Sequence, residues 1–140
     1  MKTICIQPHQ IEEILVKAGV QPTLQRIALC RYVLCEANHP TADDVKAWAQ
    51  DNLDKVSQAT VYNTLGKLVE VGLLKSFRFP HSEKIVYDQN VQEHYHFLDE
   101  ITGKLVDIDT EEVDVSVTLP RKYKVNGMDV IFKGIIKERA

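Results

Sequence analysis

Apolar residues recur with a helical period through the first half of this chain and with a strand period beyond it. Between positions 8 and 18, Ile11, Ile14, Leu15 and Ala18 fall at i, i+3, i+4 and i+7, one face of an amphipathic helix that Gly19 ends. Thr23 is placed to cap a second helix with Ile27, Cys30 and Leu34 on its inner face. After Asn38-His39-Pro40, Thr41 and Asp44 stand at the N-cap and N3 positions of a third, a variant capping box, with Val45, Trp48 and Ala49 inward. Ser57 caps a fourth in which Val61, Leu65 and Leu68 face the core, and Gly72 takes the left-handed position past its end.

Beyond Gly72 the pattern changes. Residues 73–79 and 85–88 read as two strands joined by the polar turn Pro80-His81-Ser82-Glu83. Short helices followed by a β-hairpin predict a winged helix-turn-helix, whose reading helix is the one before the hairpin. Its outward side chains Gln58, Thr60, Tyr62 and Asn63 can hydrogen-bond base edges and phosphates. A merely solvated helix face would carry the same residues. After the polar stretch 89–93, residues 94–99 and 104–109 predict a second hairpin around a loop at 100–103. Positions 110–119 read as a short helix or irregular segment, and 123–125 with 129–137 as a final strand or pair of strands. The expected fold class is α+β.

Composition narrows the setting. The 140 residues have room for one ordinary domain or two small ones. A hydrophobic fraction of 44% with 26% charged residues is that of a soluble globular chain. No apolar run approaches the ~20 residues of a membrane helix, so no membrane partner is expected. The first nine residues lack the apolar stretch of a signal peptide, which points to the cytoplasm. The net charge of −3 disfavours an anionic partner until it is divided along the chain. Residues 1–84 hold 10 Lys+Arg against 9 Asp+Glu, and residues 85–140 hold 7 against 11. The acidic surplus therefore lies in the C-terminal part, where cations would bind. Three cysteines, Cys5, Cys30 and Cys35, form an odd set without an export signal, which argues against a disulfide framework. No Cys-x-x-Cys pair occurs, so no structural cysteine zinc site is expected. Cys30 and Cys35 are separated by ~140° around a helix and are expected to be buried small residues rather than redox partners.

The chemistry centres on His94 and His96. Residues i and i+2 of a strand share a face about 6.6 Å apart, so the two imidazoles can converge on one metal while Tyr95 and Phe97 point to a core. If the loop is residues 100–103, Asp99 pairs with Lys104, and counting back sets Asp107 opposite His96 on the same face. Imidazoles and carboxylates without a thiolate favour Fe(II), Mn(II) or Zn(II) over Cu(I). Asp88, six residues before His94, and His39, between the second and third helices, are further candidates. His39 can equally be an exposed turn residue.

Together, several stretches resemble the ferric uptake regulator family over nearly the whole chain. They are residues 19–26 (Gly-Val-Gln-Pro-Thr-Leu-Gln-Arg), 39–44 (His-Pro-Thr-Ala-Asp-Asp), 57–65 (Ser-Gln-Ala-Thr-Val-Tyr-Asn-Thr-Leu), Tyr87-Asp88, His94-Tyr95-His96 and residues 103–107 (Gly-Lys-Leu-Val-Asp). The resemblance implies a homodimeric, DNA-binding regulator, in most cases a repressor, acting on a palindromic double-stranded operator. It implies a winged-helix domain over residues 1–88, a hinge at 89–93 and a small α/β metal-binding and dimerisation domain at 94–140. In the peroxide-sensing branch the regulatory metal is held by three histidines and two aspartates, which fall here on His39, Asp88, His94, His96 and Asp107. There, Fe(II) reacts with peroxide and oxidises ligand histidines, at positions matching His39 and His94.

Two departures point elsewhere in the family. Asp99 and Thr102 stand where many members carry zinc-binding cysteines, and the segment 113–120 runs quickly into Tyr123, shortening the dimer-domain helix. Both resemble the iron response regulator branch, which answers to iron and haem. Its Cys-Pro haem motif is missing, since Ile6 follows Cys5. Two other classes fit parts of the chain. Two histidines and a carboxylate form the facial triad of non-haem iron oxygenases, but the strands are too few for a jelly roll and residues 57–63 would have no role. A metal-independent winged helix with structural histidines is the other.

Overall fold

Side-chain oxygens at the helix starts take up amides that the helices leave orphaned. A computed structural model describes residues 5–78 and 83–137. Helix α1 (Pro8–Lys17) opens on proline, and the Gln10 amide oxygen accepts from the Gln7 N–H at 2.8 Å. In α2 (Leu24–Cys35) the Thr23 hydroxyl accepts from the Arg26 N–H at 3.2 Å. The capping box of α3 (Ala42–Asn52) is complete: Asp44 N–H donates to Thr41 Oγ1 at 3.1 Å, and Thr41 N–H donates to Asp44 Oδ2 at 2.9 Å. Ser57 Oγ accepts from the Thr60 N–H at the start of α4 (Gln58–Glu70). Gly72, just past its end, has φ +82°, a conformation that glycine adopts without steric cost.

The four helices bury Ile11, Leu15, Leu29, Cys30, Val33, Val45, Ala49, Val61, Leu65 and Leu68, with Leu74 beneath them. The inner face of α2 is Leu29, Cys30 and Val33, while the expected Ile27 and Leu34 are only half-buried. That helix packs against α1, α3 and α4, so its apolar residues are spread around it instead of forming one stripe. Trp48 is half-buried too, because its ring stacks flat on Tyr32 with centroids 4.1 Å apart.

Strands β1 (Lys75–Arg78) and β2 (Ile85–Asp88) pair antiparallel, from Lys75 opposite Asp88 to Arg78 opposite Ile85. Phe79 and the turn residues Pro80, His81 and Ser82 lie outside the described residues. The loop before α3 joins the same sheet: Thr41 bridges Val86, and the Tyr87 N–H donates to the Pro40 carbonyl at 2.8 Å.

The chain divides into two compact units, one ending at Val91 and the other starting at Gln92. In the second, β3 (His94–Asp99) lies between β4 (Leu105–Asp109) and β5 (Ile131–Gly134). The β3–β4 pairing is antiparallel with His96 opposite Asp107, the register that a loop at 100–103 requires. Asp99 closes that loop, its N–H donating to the Lys104 carbonyl and its carboxylate accepting from Ile101 N–H and Thr102 Oγ1. A one-turn 3-10 helix, Thr110–Glu112, follows β4 and leads into irregular chain. β5 pairs parallel to β3. Both sides of β3 are then occupied; of the final strand or pair of strands expected, only the one within 129–137 forms, and Tyr123 and Val125 are exposed. Phe97 packs over Gly134, where an added Cβ would sit 3.4 Å from its ring.

The cysteine expectation is overturned. Cys5 and Cys35 are joined as a disulfide, their Cα atoms 5.7 Å apart, and Cys35 is half-buried. Only Cys30 is the buried small residue foreseen, with a thiol that burial pushes up to about 12. An odd cysteine count without an export signal argues against a disulfide framework, and the helix spacing bears only on Cys30 and Cys35, not on Cys5, 30 residues from its partner.

Candidate metal centre

In the first unit, His39 Nε2 lies 3.3 Å from Asp88 Oδ2, with both side chains largely shielded. The backbone places them. Pairing of Pro40 and Thr41 with β2 carries the residue before Pro40 alongside the end of that strand, where Asp88 sits. His39 itself has φ +48°, a left-handed conformation that costs about 1–3 kcal/mol and is held by the pairing that follows it. Its Nδ1 lies 2.8 Å from Asn38 Oδ1. Asp88 Oδ1 accepts from the Asn90 N–H, which orients the carboxylate.

In the second unit, His94, His96 and Asp107 form a small triangle. The two Nε2 atoms are 3.0 Å apart, and Asp107 Oδ1 lies 3.4 Å from the first and 3.5 Å from the second. Both imidazoles are shielded, while Asp107 is more than a third exposed. Donors held 2.0–2.2 Å from one cation sit about 2.8–3.6 Å from each other, from right-angle to tetrahedral arrangements. The triangle has that size.

Hydrogen bonding fixes which nitrogens are available. His94 Nδ1 is 2.6 Å from the Gln92 carbonyl, an acceptor only, so Nδ1 carries the hydrogen and the Nε2 lone pair faces His96 and Asp107. Asn38 Oδ1 does the same for His39, turning its Nε2 lone pair toward Asp88. Lone pairs directed at carboxylate oxygens repel unless a proton or a cation stands between them. A carbonyl behind the ring is the usual partner that orients a metal-binding histidine. The five residues each offer one ligand atom, an imidazole nitrogen or a carboxylate oxygen. Asn38 and Gln92 were not foreseen from sequence. Gln92 acts through its backbone, which leaves no side-chain signature, and Asn38 depends on the left-handed turn at His39.

The expected reading face of α4 is largely open. Gln58, Tyr62 and Asn63 are exposed; Thr60 is half-buried, its hydroxyl bonded to Ser57 Oγ at 2.9 Å, so it serves the cap. Gln58 Oε1 accepts from Lys46 Nζ of α3 at 3.3 Å. Tyr62 and Asn63 line a concavity of about 440 Å³ with Arg26 and Lys67, two cations that the sequence reading had not singled out. Arg26 is anchored through Nη1 to the Gln21 carbonyl. No described helix is long and apolar enough to cross a membrane.

A model of the ferric uptake regulator family matches residues 17–131. The peroxide-responsive repressor PerR of Staphylococcus epidermidis is 35% identical over 109 residues, 76% of this chain and 72% of the relative. Among solved structures, PerR from Streptococcus pyogenes, described for peroxide sensing and gene regulation, is 26% identical with a TM-score of 0.54, covering 97% of this chain and 95% of that one. The ferric uptake regulator of Vibrio cholerae is 19% identical with a TM-score of 0.66, covering 90% and 99%, and shares the fold.

Proposed function

This chain belongs to the ferric uptake regulator family, and on that premise we propose that it is a repressor that senses peroxide through Fe(II) or Mn(II). Metal-dependent regulation of DNA is the business of the family; the stimulus and the residues are our reading. One ion would draw its ligands from His39 and Asp88 in the first unit and from His94, His96 and Asp107 in the second. The observation that carries this is the triangle of His94, His96 and Asp107, acceptor groups 3.0–3.5 Å apart. Nitrogen and carboxylate donors suit Fe(II) and Mn(II), and Zn(II) in vitro. Fe(II) held there would supply the redox chemistry that reduces a peroxide beside the ligand imidazoles, of which His39 and His94 are the ones expected to gain oxygen. The carbonyl behind His94 and the amide oxygen behind His39 keep the correct tautomers, so both rings are ready for a metal without rearrangement.

In this reading residues 1–88 bind DNA and 89–93 act as the hinge. Residues 94–140 bind metal and join two copies, so that the pair meets a palindromic operator. Gln58, Tyr62 and Asn63 contact the duplex, with Thr60 supporting the cap. A regulator of this kind works beside the chromosome, in the cytoplasm. The relatives are regulators rather than oxygenases, and Cys5, the cysteine nearest a haem motif, is paired with Cys35; the oxygenase and haem readings gain nothing.

The test uses a duplex that the protein itself selects from random sequence in Mn(II). Binding is then measured with Mn(II), with Fe(II), after chelation, and after peroxide on the Fe(II) form. Binding lost on chelation and on peroxide, with one oxygen atom added to a His39 or His94 peptide, is expected. Equal affinity in all four states rejects the reading.

A further inference from the structure

Cys5 and Cys35 take no part in the candidate metal centre or the α4 face. Cys5 precedes α1, Cys35 is the last residue of α2, and they are joined across 30 positions of sequence. Both are only half-buried. Cys30, five positions earlier in α2, is fully buried, and burial pushes its thiol up to about 12, further from the reactive thiolate. The chain therefore has two partly exposed cysteines within bonding reach of each other and a third that is fully buried. A protein that works beside DNA meets a reducing thiol pool, where disulfides that do form are mostly transient and redox-responsive.

We propose that Cys5 and Cys35 are a second oxidant-responsive site, a reversible thiol–disulfide pair that a hydroperoxide closes without any metal. For its cellular setting this rests on the DNA-binding reading above; the chemistry does not. Cys35 ends α2, where the negative end of the helix dipole disfavours a thiolate, so Cys5 is the attacking group. The Cys5 thiolate attacks one peroxide oxygen, the O–O bond breaks, and water or an alcohol leaves after taking up the proton that Cys5 gave up. Cys5 is then a sulfenic acid. The Cys35 thiolate attacks its sulfur, the S–O bond breaks, and hydroxide leaves as water with the proton from Cys35. Two thiols lose two protons and two electrons in all, and the peroxide gains them. Two exchanges with a small thiol such as glutathione reverse the change. The closed form ties residues 5–7 to the end of α2.

The full chain, reduced and stripped of metal with chelator, is treated with hydrogen peroxide, then unfolded and alkylated for mass measurement. The expected product has lost two hydrogens, resists alkylation at two cysteines, and yields a peptide linking Cys5 to Cys35. The same result is expected in Cys30→Ala, and none in Cys5→Ser. Reduced glutathione should restore three thiols, and the oxidised protein should melt on the order of 10 °C above the reduced one. Cys5 is outside the helical core, so Cys5→Ser should melt with the reduced wild type. A requirement for Fe(II), a cross-link through Cys30, or a disulfide that glutathione cannot open would each overturn the proposal. Because no metal is present, failure of peroxide sensing at the histidines leaves these readouts untouched.

Discussion

His94 carries its hydrogen on Nδ1 because the Gln92 carbonyl is 2.6 Å away, and that single bond decides what the opposite nitrogen can do. Replacing Asp107 with asparagine keeps the size of the side chain but removes its charge from the two Nε2 atoms. We expect Asp107→Asn to weaken Mn(II) binding about 10-fold or more by calorimetry, with an unchanged melting midpoint in the absence of metal. Cys30 gives a prediction of a different kind. Its folded pKa is raised from 9.0 to about 12, so above pH 9 the unfolded chain loses a proton that the native chain keeps. Stability from this group is intact below pH 9 and falls as pH rises, by at most about 1.4 kcal/mol per pH unit. Urea midpoints measured from pH 8 to pH 11 should fall more steeply for the wild type than for Cys30→Ala; parallel curves would exclude the effect. At this scale the site was half legible. His94, His96 and Asp107 follow from strand alternation and a loop count, both local rules. The left-handed backbone at His39 and the carbonyl of Gln92 are products of the fold and leave no pattern in the residue types.

Helix starts were the most legible elements, since Thr23, Thr41 and Ser57 announce themselves by chemistry that acts over three residues. Ser57→Ala should cost about 1 kcal/mol in urea unfolding, and it should also release Thr60, whose hydroxyl bonds Ser57. The β3–β4 hairpin was equally readable because its register depends only on the loop length. Inserting one glycine between Thr102 and Gly103 would slip the register and turn Asp107 away from the histidines, unless the loop absorbs it. Loss of Mn(II) binding with preserved secondary structure is the expected outcome; retained affinity would show that the loop, not the ladder, takes up the extra residue. Elements defined by distant partners were not legible. The parallel pairing of β5 with β3 joins segments more than 30 residues apart. The Cys5–Cys35 link likewise depends on packing that no periodicity records. At 123–125 a strand pattern is present, but no described strand pairs with it.

At the scale of the whole molecule, the family and the α+β plan are settled by matches that extend through both units. Our proposal is that one ion would take ligands from both units, which would let a metal govern DNA binding. The first unit offers two donors and the second offers three. A ligand can bias an arrangement of the units only by binding one arrangement better than another, so contributions from both are essential. The most direct measurement is Mn(II) calorimetry on the wild type, His39→Ala and His94→Ala under identical conditions. We expect a shared site in the wild type whose affinity falls by an order of magnitude or more in each variant. Undiminished binding in His39→Ala, with the loss confined to His94→Ala, would contradict it and leave the metal to the second unit alone.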